Sequence, residues 1–215
     1  MSSTVYKVFF FGPQGSGKGT QAELLAKRLN VPAFGMGQLC REAIASQSEM
    51  GKEIDAVVKR GELVSDHIAA ELFRQRLQRP DTAHGYIMDG YPRNASQAQA
   101  FTFDTPTHVV VIEIPEEESV RRLSVRLTCD RCSKVYAMKE GFQVGNACEC
   151  EGKLFQRSDD TPAAIEKRLE IYEHDTKPII DRYAKAGIVY RIDGVGTVKT
   201  IERRIAKAIG LRSKK

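Results

Sequence analysis

The sequence predicts an α/β fold, a buried parallel sheet covered by helices on both sides, and three observations predict it. Apolar runs recur along the chain without polar alternation. Each is followed by glycine, proline or polar residues and then by apolar residues at three- and four-residue spacing. A glycine-rich turn joins the first run to the first helical pattern. Strands buried on both faces read as continuous apolar runs, whereas a strand with one wet face alternates.

Taken in order, the first run is Val5 to Phe11, and it leads through GPQGSGKGT, Gly12 to Thr20, into a helical pattern from Gly19 to Leu29. Further strand-like runs lie at Tyr86 to Met88, Val109 to Ile114 and Ile188 to Ile192. Helical spacing recurs at Ile68 to Leu77, Glu116 to Leu127, Ala163 to Tyr172 and Val198 to Ile209. Thr161-Pro162 is a good helix start, because a hydroxyl can cap free amides and proline lacks an N–H that the first turn leaves unpaired anyway. Two regions break the alternation. Gln38 to Gln78 reads as successive helices without a strand, and Thr128 to about Asp160 is turn-rich and holds four of the five cysteines. The simplest architecture is one core with two excursions, each able to close over a ligand.

A chain of 215 residues with 41% hydrophobic and 28% charged residues suits one globular domain. The balance of 33 basic against 28 acidic residues, a net charge of +5, favours anionic ligands without separating nucleotides from nucleic acid or membrane. MSSTVYKVFFFG lacks the apolar length and cleavage site of a signal peptide, and no stretch approaches the roughly 18 apolar residues of a membrane span. A soluble, cytoplasmic and reducing home is the expectation, which disfavours disulfides among the clustered cysteines. Redox pair, nucleic-acid knuckle and metal clip remain open for them.

In GPQGSGKGT the glycines let backbone amides turn inward around phosphate oxygens, the following helix presents its positive N-terminus, and Lys18 reaches terminal phosphates. Strand, glycines, lysine and helix together make a phosphate loop. It departs from the strict formula at Gly19, where serine or threonine is usual, and the hydroxyl follows at Thr20. The G-K-G-T ending resembles the nucleoside monophosphate kinases, adenylate kinases in particular. GELVSD at Gly61 to Asp66 and MDGYPRNASQA at Met88 to Ala98 resemble that family's monophosphate-site segments. FQRSDD at Phe155 to Asp160, KRLEIY at Lys167 to Tyr172 and IDGVG at Ile192 to Gly196 resemble its lid exit, the helix after it and the stretch passing the donor adenine.

The resemblance implies a doubly wound, five-stranded parallel sheet of the P-loop NTPase type. It implies a core of residues 1–34, 80–127 and 161–215, a monophosphate-binding region at 35–79 and a lid at 128–160. The implied reaction is reversible, magnesium-dependent transfer of the γ-phosphoryl group of ATP to AMP. Its acceptor is already an ionised phosphate oxygen, so catalysis needs alignment, charge neutralisation and exclusion of water rather than a strong base.

By resemblance, the ATP site comprises Gly12, Gly15, Ser16, Gly17, Lys18, Gly19, Thr20, Arg122, Arg126 and Gly196. The AMP site comprises Met36, Arg41, Glu62, Leu63, Val64, Gly90, Arg93, Gln97, Arg157 and Arg168. Catalysis falls to Lys18, Arg93, Arg126, Arg157, Arg168, Asp89 and Asp159. Guanidinium forks suit phosphate oxygens, and Arg122 and Arg126, four apart, are expected on one helical face. Asp89 is expected to hold the water shell of magnesium or to cap the DGYPR turn. Asp159 and Asp160 are expected to orient arginines or cap the helix at Thr161. Met36 and Gln38 stand where the family pattern has a threonine and an aspartate, and Met36 offers the base no hydroxyl. The extended lid and Gln97 nonetheless resemble the long adenylate kinases, so AMP is the expected acceptor, with CMP, UMP and GMP as alternatives.

Cys129, Cys132, Cys148 and Cys150 then fall in the lid, where four thiolates around zinc would clip a lobe too poor in apolar residues to fold alone. Cys148-Glu-Cys150 is one residue shorter than the expected knuckle. A zinc-knuckle nucleic-acid-binding protein is the rival from another class, but there is no tryptophan, only 7% of residues are aromatic, and basic and aromatic residues do not interleave near the cysteines. A regulatory ATPase would need a positioned water. The expected partners are therefore ATP and AMP or ADP, with no nucleic acid and no membrane, acting on a monomer. His67, His84, His108 and His174 form no ligand pair by spacing, and Cys40 is expected as an isolated, buried or half-buried thiol.

Overall fold

The computed structural model describes residues 5–59, 64–138, 141–157 and 160–211. The chain begins with β1 (Tyr6–Phe11) and α1 (Lys18–Leu29), and β2 (Ala33–Gly35) then leads into α2 (Met36–Ala45), α3 (Glu49–Lys59) and α4 (Asp66–Leu77). A 3-10 turn at Pro80–Thr82 precedes β3 (Gly85–Asp89), α5 (Ala95–Ala100), β4 (His108–Glu113) and α6 (Glu116–Ser124). Three short strands follow, β5 (Arg126–Cys129), β6 (Val135–Ala137) and β7 (Leu154–Phe155). Beyond them come α7 (Pro162–Ile171), a π-helical turn at Tyr172–Thr176, α8 (Lys177–Lys185), β8 (Val189–Asp193) and α9 (Val198–Ala208).

The main sheet has five parallel strands in the order β2-β3-β1-β4-β8. Side chains alternate across it, and both faces are dry. Phe9 and Phe11 join Phe34, Tyr86, Met88, Val109 and Val111 on one side, whereas Val8 and Phe10 join Ile87, Val110 and Ile112 under α1 and α9 on the other. This is why the strands read as unbroken apolar runs. Burying a side chain of this kind stabilises by about 1.5–3 kcal/mol. The strand ends that carry polar residues are thus anchored by the best-buried part of the chain. Because β1 lies between β3 and β4, the chain winds away from it in both directions, and the crevice beyond the C-terminal end of β1 is where such sheets bind ligands.

The expected helix from Glu116 to Leu127 is shorter than its spacing suggested. α6 ends at Ser124, Val125 leaves the helical region at φ −108°, and Arg126 begins β5. Arg122 and Arg126 therefore do not share a helical face. β5 pairs antiparallel with β6 and β7, and these distant partners draw the segment out of the helix. Leu127, Tyr136 and Leu154 are the large buried side chains of the resulting small sheet, packed with Cys129 and Cys148.

The other helix that differs is α7. Instead of stopping near Tyr172, it passes through the π turn into α8, where Pro178 occupies the first turn. Proline cannot donate a regular helical hydrogen bond, and the wider turn accommodates that loss. Elsewhere Gln38 to Gln78 is helical in its described part, and Thr161 caps α7 by accepting from the Ala164 amide as expected. Among the described residues no helix is long and apolar enough to cross a membrane.

Candidate functional site

The loop from Gly12 to Thr20 leaves the C-terminal end of β1 and is pressed against β4 and α6. Gly12 has φ +145°, and a side chain there would strike the Ile112 carbonyl oxygen, so only glycine can make this passage. The Ser119 hydroxyl donates to the Gln14 carbonyl, and Arg122 donates to Gly15 O at 3.3 Å, Ser16 O at 3.4 Å and Gly194 O at 2.8 Å. Arg122 thus ties the phosphate loop to the IDGVG segment containing Gly196. Gly17 starts α1 without a side-chain cap, which leaves first-turn amides facing the loop's concavity as an anion site.

Lys18 curls over this loop and donates to Gly12 O at 2.8 Å and Pro13 O at 2.9 Å. Burial pulls its pKa down to about 8, Asp89 opposes that fall, and the cations Arg93, Arg168 and Arg126 add to it. Lysine, carboxylate and three arginines therefore share one electrostatic site.

Asp89 ends β3, and burial raises its pKa against the opposing charges of Lys18 and Arg93. Its Oδ1 is buried and has no hydrogen-bond partner among the described residues. A Cβ on Gly19 would lie 3.3 Å from Asp89 Oδ2. The glycine that breaks the usual loop formula thus sits where a serine or threonine would crowd this carboxylate. An orphaned, buried carboxylate oxygen beside a phosphate loop is a hard donor that fits the hydration shell of magnesium.

The arginines come from four elements. Arg93 follows the DGYPR turn and is braced there by its Nε to Gly90 O at 2.7 Å, while Thr176 in the π turn donates to its carbonyl at 2.8 Å. Arg126 forms a two-pronged pair with Asp160, at 2.8 and 2.5 Å, and Arg168 on α7 approaches the same carboxylate at 3.6 Å. Arg157 Nε donates to the Thr128 hydroxyl at 3.0 Å. Asp160 is thus an arginine-orienting residue, and Thr161 supplies the cap. Asp159 lies outside the described residues. Thr128, Thr176 and Asp66 were not singled out by sequence reasoning, because their contacts are made across the fold and no local pattern marks them.

The Asp160 side chain is fully buried and that of Arg126 is 12% exposed, so removing one partner strands a buried charge. Asp160→Ala is expected to destabilise the protein by about 3–5 kcal/mol, readable by denaturant unfolding. A loss below 1 kcal/mol would place this pair among weak surface contacts.

The expected acceptor side is carried by α2, the start of α4 and the turn after β3. Met36 and Val64 pack against the first core cluster, and Arg41 lies exposed on α2. Glu62 and Leu63 lie outside the described residues. Gln97 accepts from the Arg93 amide at 2.8 Å and donates to Asp66 at 2.9 Å. Gln38 donates to Glu42 at 2.9 Å, and Glu42 also accepts from Arg79 at 3.0 Å. It is engaged within the helical region rather than at Asp89.

The four clustered thiols meet beside the small sheet. Their sulfurs all lie within 4.8 Å of one another, with Cys129 to Cys150 at 3.4 Å and Cys132 to Cys148 at 3.5 Å. Sulfurs around a tetrahedral ion at 2.3 Å would be separated by about 3.8 Å, far more than the length of a disulfide. The shortened Cys148-Glu-Cys150 pair works through a tight turn. Cys148 N donates to Gly152 O at 2.7 Å, Glu151 N to Cys148 O at 2.8 Å, and Glu151 adopts φ 66°. The Cys150 amide and the Tyr136 hydroxyl lower the Cys148 pKa, whereas hydrogen bonds from the other thiols raise that of Cys132, so the four sulfurs share their protons as one cluster. Donor set and spacing fit a soft tetrahedral cation.

Cys40 is the remaining thiol, buried in α2, where burial raises its pKa.

A parallel sheet with a lysine-bearing phosphate loop at its switch point, an adjoining carboxylate and converging arginines defines the phosphoryl-transferring P-loop enzymes. A family profile described as adenylate kinase matches residues 10–188. Adenylate kinases from Methanothrix thermoacetophila and Archaeoglobus fulgidus are 39% and 37% identical over 210 and 213 residues, covering 94% and 92% of this chain and 97% and 95% of theirs. That from Syntrophobacter fumaroxidans is 38% identical over 211 residues, covering 94% of this chain and 99% of its own. The chain belongs to the adenylate kinase family, enzymes that are nucleoside monophosphate phosphotransferases.

Proposed function

We propose that the chain transfers the γ-phosphoryl group of ATP to AMP and releases two ADP, reversibly. The convergence of Lys18, Asp89, Arg93, Arg126 and Arg168 on one loop supports this reading. In the forward step an AMP phosphate oxygen forms a bond to the γ-phosphorus as the bond to the bridging oxygen of ADP breaks, and no proton need move. Loop amides and Lys18 hold the donor phosphates, Arg41 and Arg93 hold the acceptor phosphate, and Arg126, Arg157 and Arg168 balance the charge of the group in flight. Asp89, with its buried and unpartnered Oδ1, would hold the water shell of magnesium, which would supply charge neutralisation for the donor phosphates.

The reading divides the chain as the resemblance implies. Residues 1–34, 80–127 and 161–215 make the core, 35–79 bind the monophosphate, and 128–160 form a lid. Cys129, Cys132, Cys148 and Cys150 hold zinc in that lid, as a structural ion with no open position for chemistry. Thiols without disulfides suit a reducing, cytoplasmic home, and the family resemblance implies a monomer.

A steady-state comparison of AMP, CMP, UMP and GMP with ATP and magnesium tests the function. AMP should have the highest kcat/KM, and a preference of about tenfold or more for another acceptor keeps the enzyme class and changes the substrate. Asp89→Asn is expected to lower turnover by about 10²-fold or more with little change in the KM for AMP. Unchanged turnover at saturating magnesium would reject the role of Asp89.

A further inference from the structure

We propose that Asp66 sets the acceptor-base specificity by fixing which way round the Gln97 amide lies, a role that rests on the reading of Gln97 as a base-contacting residue. Gln97 Nε2 donates to Asp66 Oδ1 at 2.9 Å, and Gln97 Oε1 accepts from the Arg93 amide at 2.8 Å. The Ser96 hydroxyl donates to the other Asp66 oxygen. Hydrogen bonds from Ser96, Gln97 and Asn94 hold the Asp66 carboxyl below the usual carboxylate range. At neutral pH it is an ionised acceptor only.

These contacts leave one orientation for the amide. Turned over, Gln97 would set Oε1 against the Asp66 carboxylate and Nε2 against the Arg93 N–H. Both hydrogen bonds would become like-with-like contacts. A glutamine amide has two N–H groups and two lone pairs, so after serving Asp66 and Arg93 it retains one of each.

A donor–acceptor edge of this kind pairs in a two-pronged manner with adenine, which offers a 6-amino donor beside a ring-nitrogen acceptor. A 6-oxo purine presents the opposite polarity, with a carbonyl at position 6 and N1–H beside it. A free amide could rotate to suit either. The fixed amide suits only one, so Asp66 selects 6-aminopurine over 6-oxopurine monophosphates without touching them. Asp66 is a positioning residue, anchored at the first turn of α4, while Gln97 is carried on α5.

The test is steady-state kinetics with ATP and magnesium using AMP and IMP as acceptors. Asp66→Asn keeps the shape but can itself meet the Gln97 amide in either orientation, leaving the neutral Arg93 N–H as the one contact that still favours the original direction. It is expected to lower the AMP to IMP ratio of kcat/KM by about tenfold, through a higher KM for AMP with kcat within about threefold. Gln97→Ala should lower the same ratio, and the double variant should fall no further than Gln97→Ala alone. Merely structural damage would lower both acceptors together and add to the effect of Gln97→Ala. If Asp66→Asn melts early, Asp66→Ser keeps an oxygen at the helix start and serves in its place.

A ratio left unchanged by the Asp66 variant while Gln97→Ala lowers it overturns the inference and leaves the base reading standing. A ratio left unchanged by Gln97→Ala overturns the base reading, and the inference falls with it.

Discussion

Lys18→Met is expected to lower turnover by about 10³-fold and to abolish a proton uptake that accompanies ATP binding in the parent protein. The first effect follows from its place at the phosphate loop, where its ammonium is the loop's own cation, held by the Gly12 and Pro13 carbonyls. The second follows from its pKa, which burial lowers from 10.5 to about 8. Above about pH 8 the free, folded protein therefore holds much of this lysine neutral. A bound polyphosphate favours the charged form and raises the pKa again. Binding must then draw a proton from solvent at pH 9 and almost none at pH 7.

Calorimetry in two buffers of different ionisation enthalpy measures that uptake. Equal uptake by parent and Lys18→Met would sink the assignment. Stability has a corresponding sign. Between about pH 8 and 10.5 the unfolded chain binds more protons at this position than the folded one, so the Lys18 contribution to stability rises with pH across that window. Subtracting the Lys18→Met profile isolates it from other titrating groups.

Metal removal is the second large effect. The purified protein should carry about one zinc per chain, and a strong chelator or Cys148→Ser should unfold the small sheet while leaving the main one intact. Leu127, Tyr136 and Leu154 are the large apolar side chains buried there, too few to hold three short strands together unaided. Hydrogen exchange should therefore rise across residues 126–157 and stay slow in β1 and β4, whose Val8, Phe9, Val110 and Val111 are fully buried. Turnover should fall by about 10²-fold or more, because Arg126 and Arg157 depend on that small sheet for their positions. Purified protein without metal, whose four thiols all react freely while activity persists, would remove the clip from the account.

How much was legible in the sequence depended on how local the cause was. β1 was readable to within a residue, since Phe9 and Phe11 fill one core cluster while Val8 and Phe10 fill the other. The phosphate loop was equally plain, because glycines, lysine and helix start are contiguous. β2, with three residues, is too short to show a period and exists by pairing with β3. Arg126 was misplaced on a helix because its strand partners at 135–137 and 154–155 lie downstream and exert no local signature.

Among the site residues, position was easier to read than orientation. Gln97 was identified from its motif, yet the direction of its amide depends on Asp66, 31 residues earlier. Gly19 was visible as a departure from the loop formula, but its reason, the neighbouring Asp89 carboxylate, appears only when β3 is laid beside β1. The shortened cysteine pair was visible as a departure from the expected knuckle, but the left-handed Glu151 that turns the backbone beside it has no local signature.

The pair between Arg126 and Asp160 joins the first residue of β5, just before the cysteine-bearing excursion, to the last residue of that excursion. A clasp at the neck separates the outer turns from the parts that carry Arg126, Arg157 and Arg168. Changes of length in those outer turns should leave the main sheet undisturbed as long as Arg126 still meets Asp160 and Arg157 still meets Thr128. The same neck makes the lobe a hinged attachment, whose motion can be felt at the phosphates only through the guanidinium groups at its base.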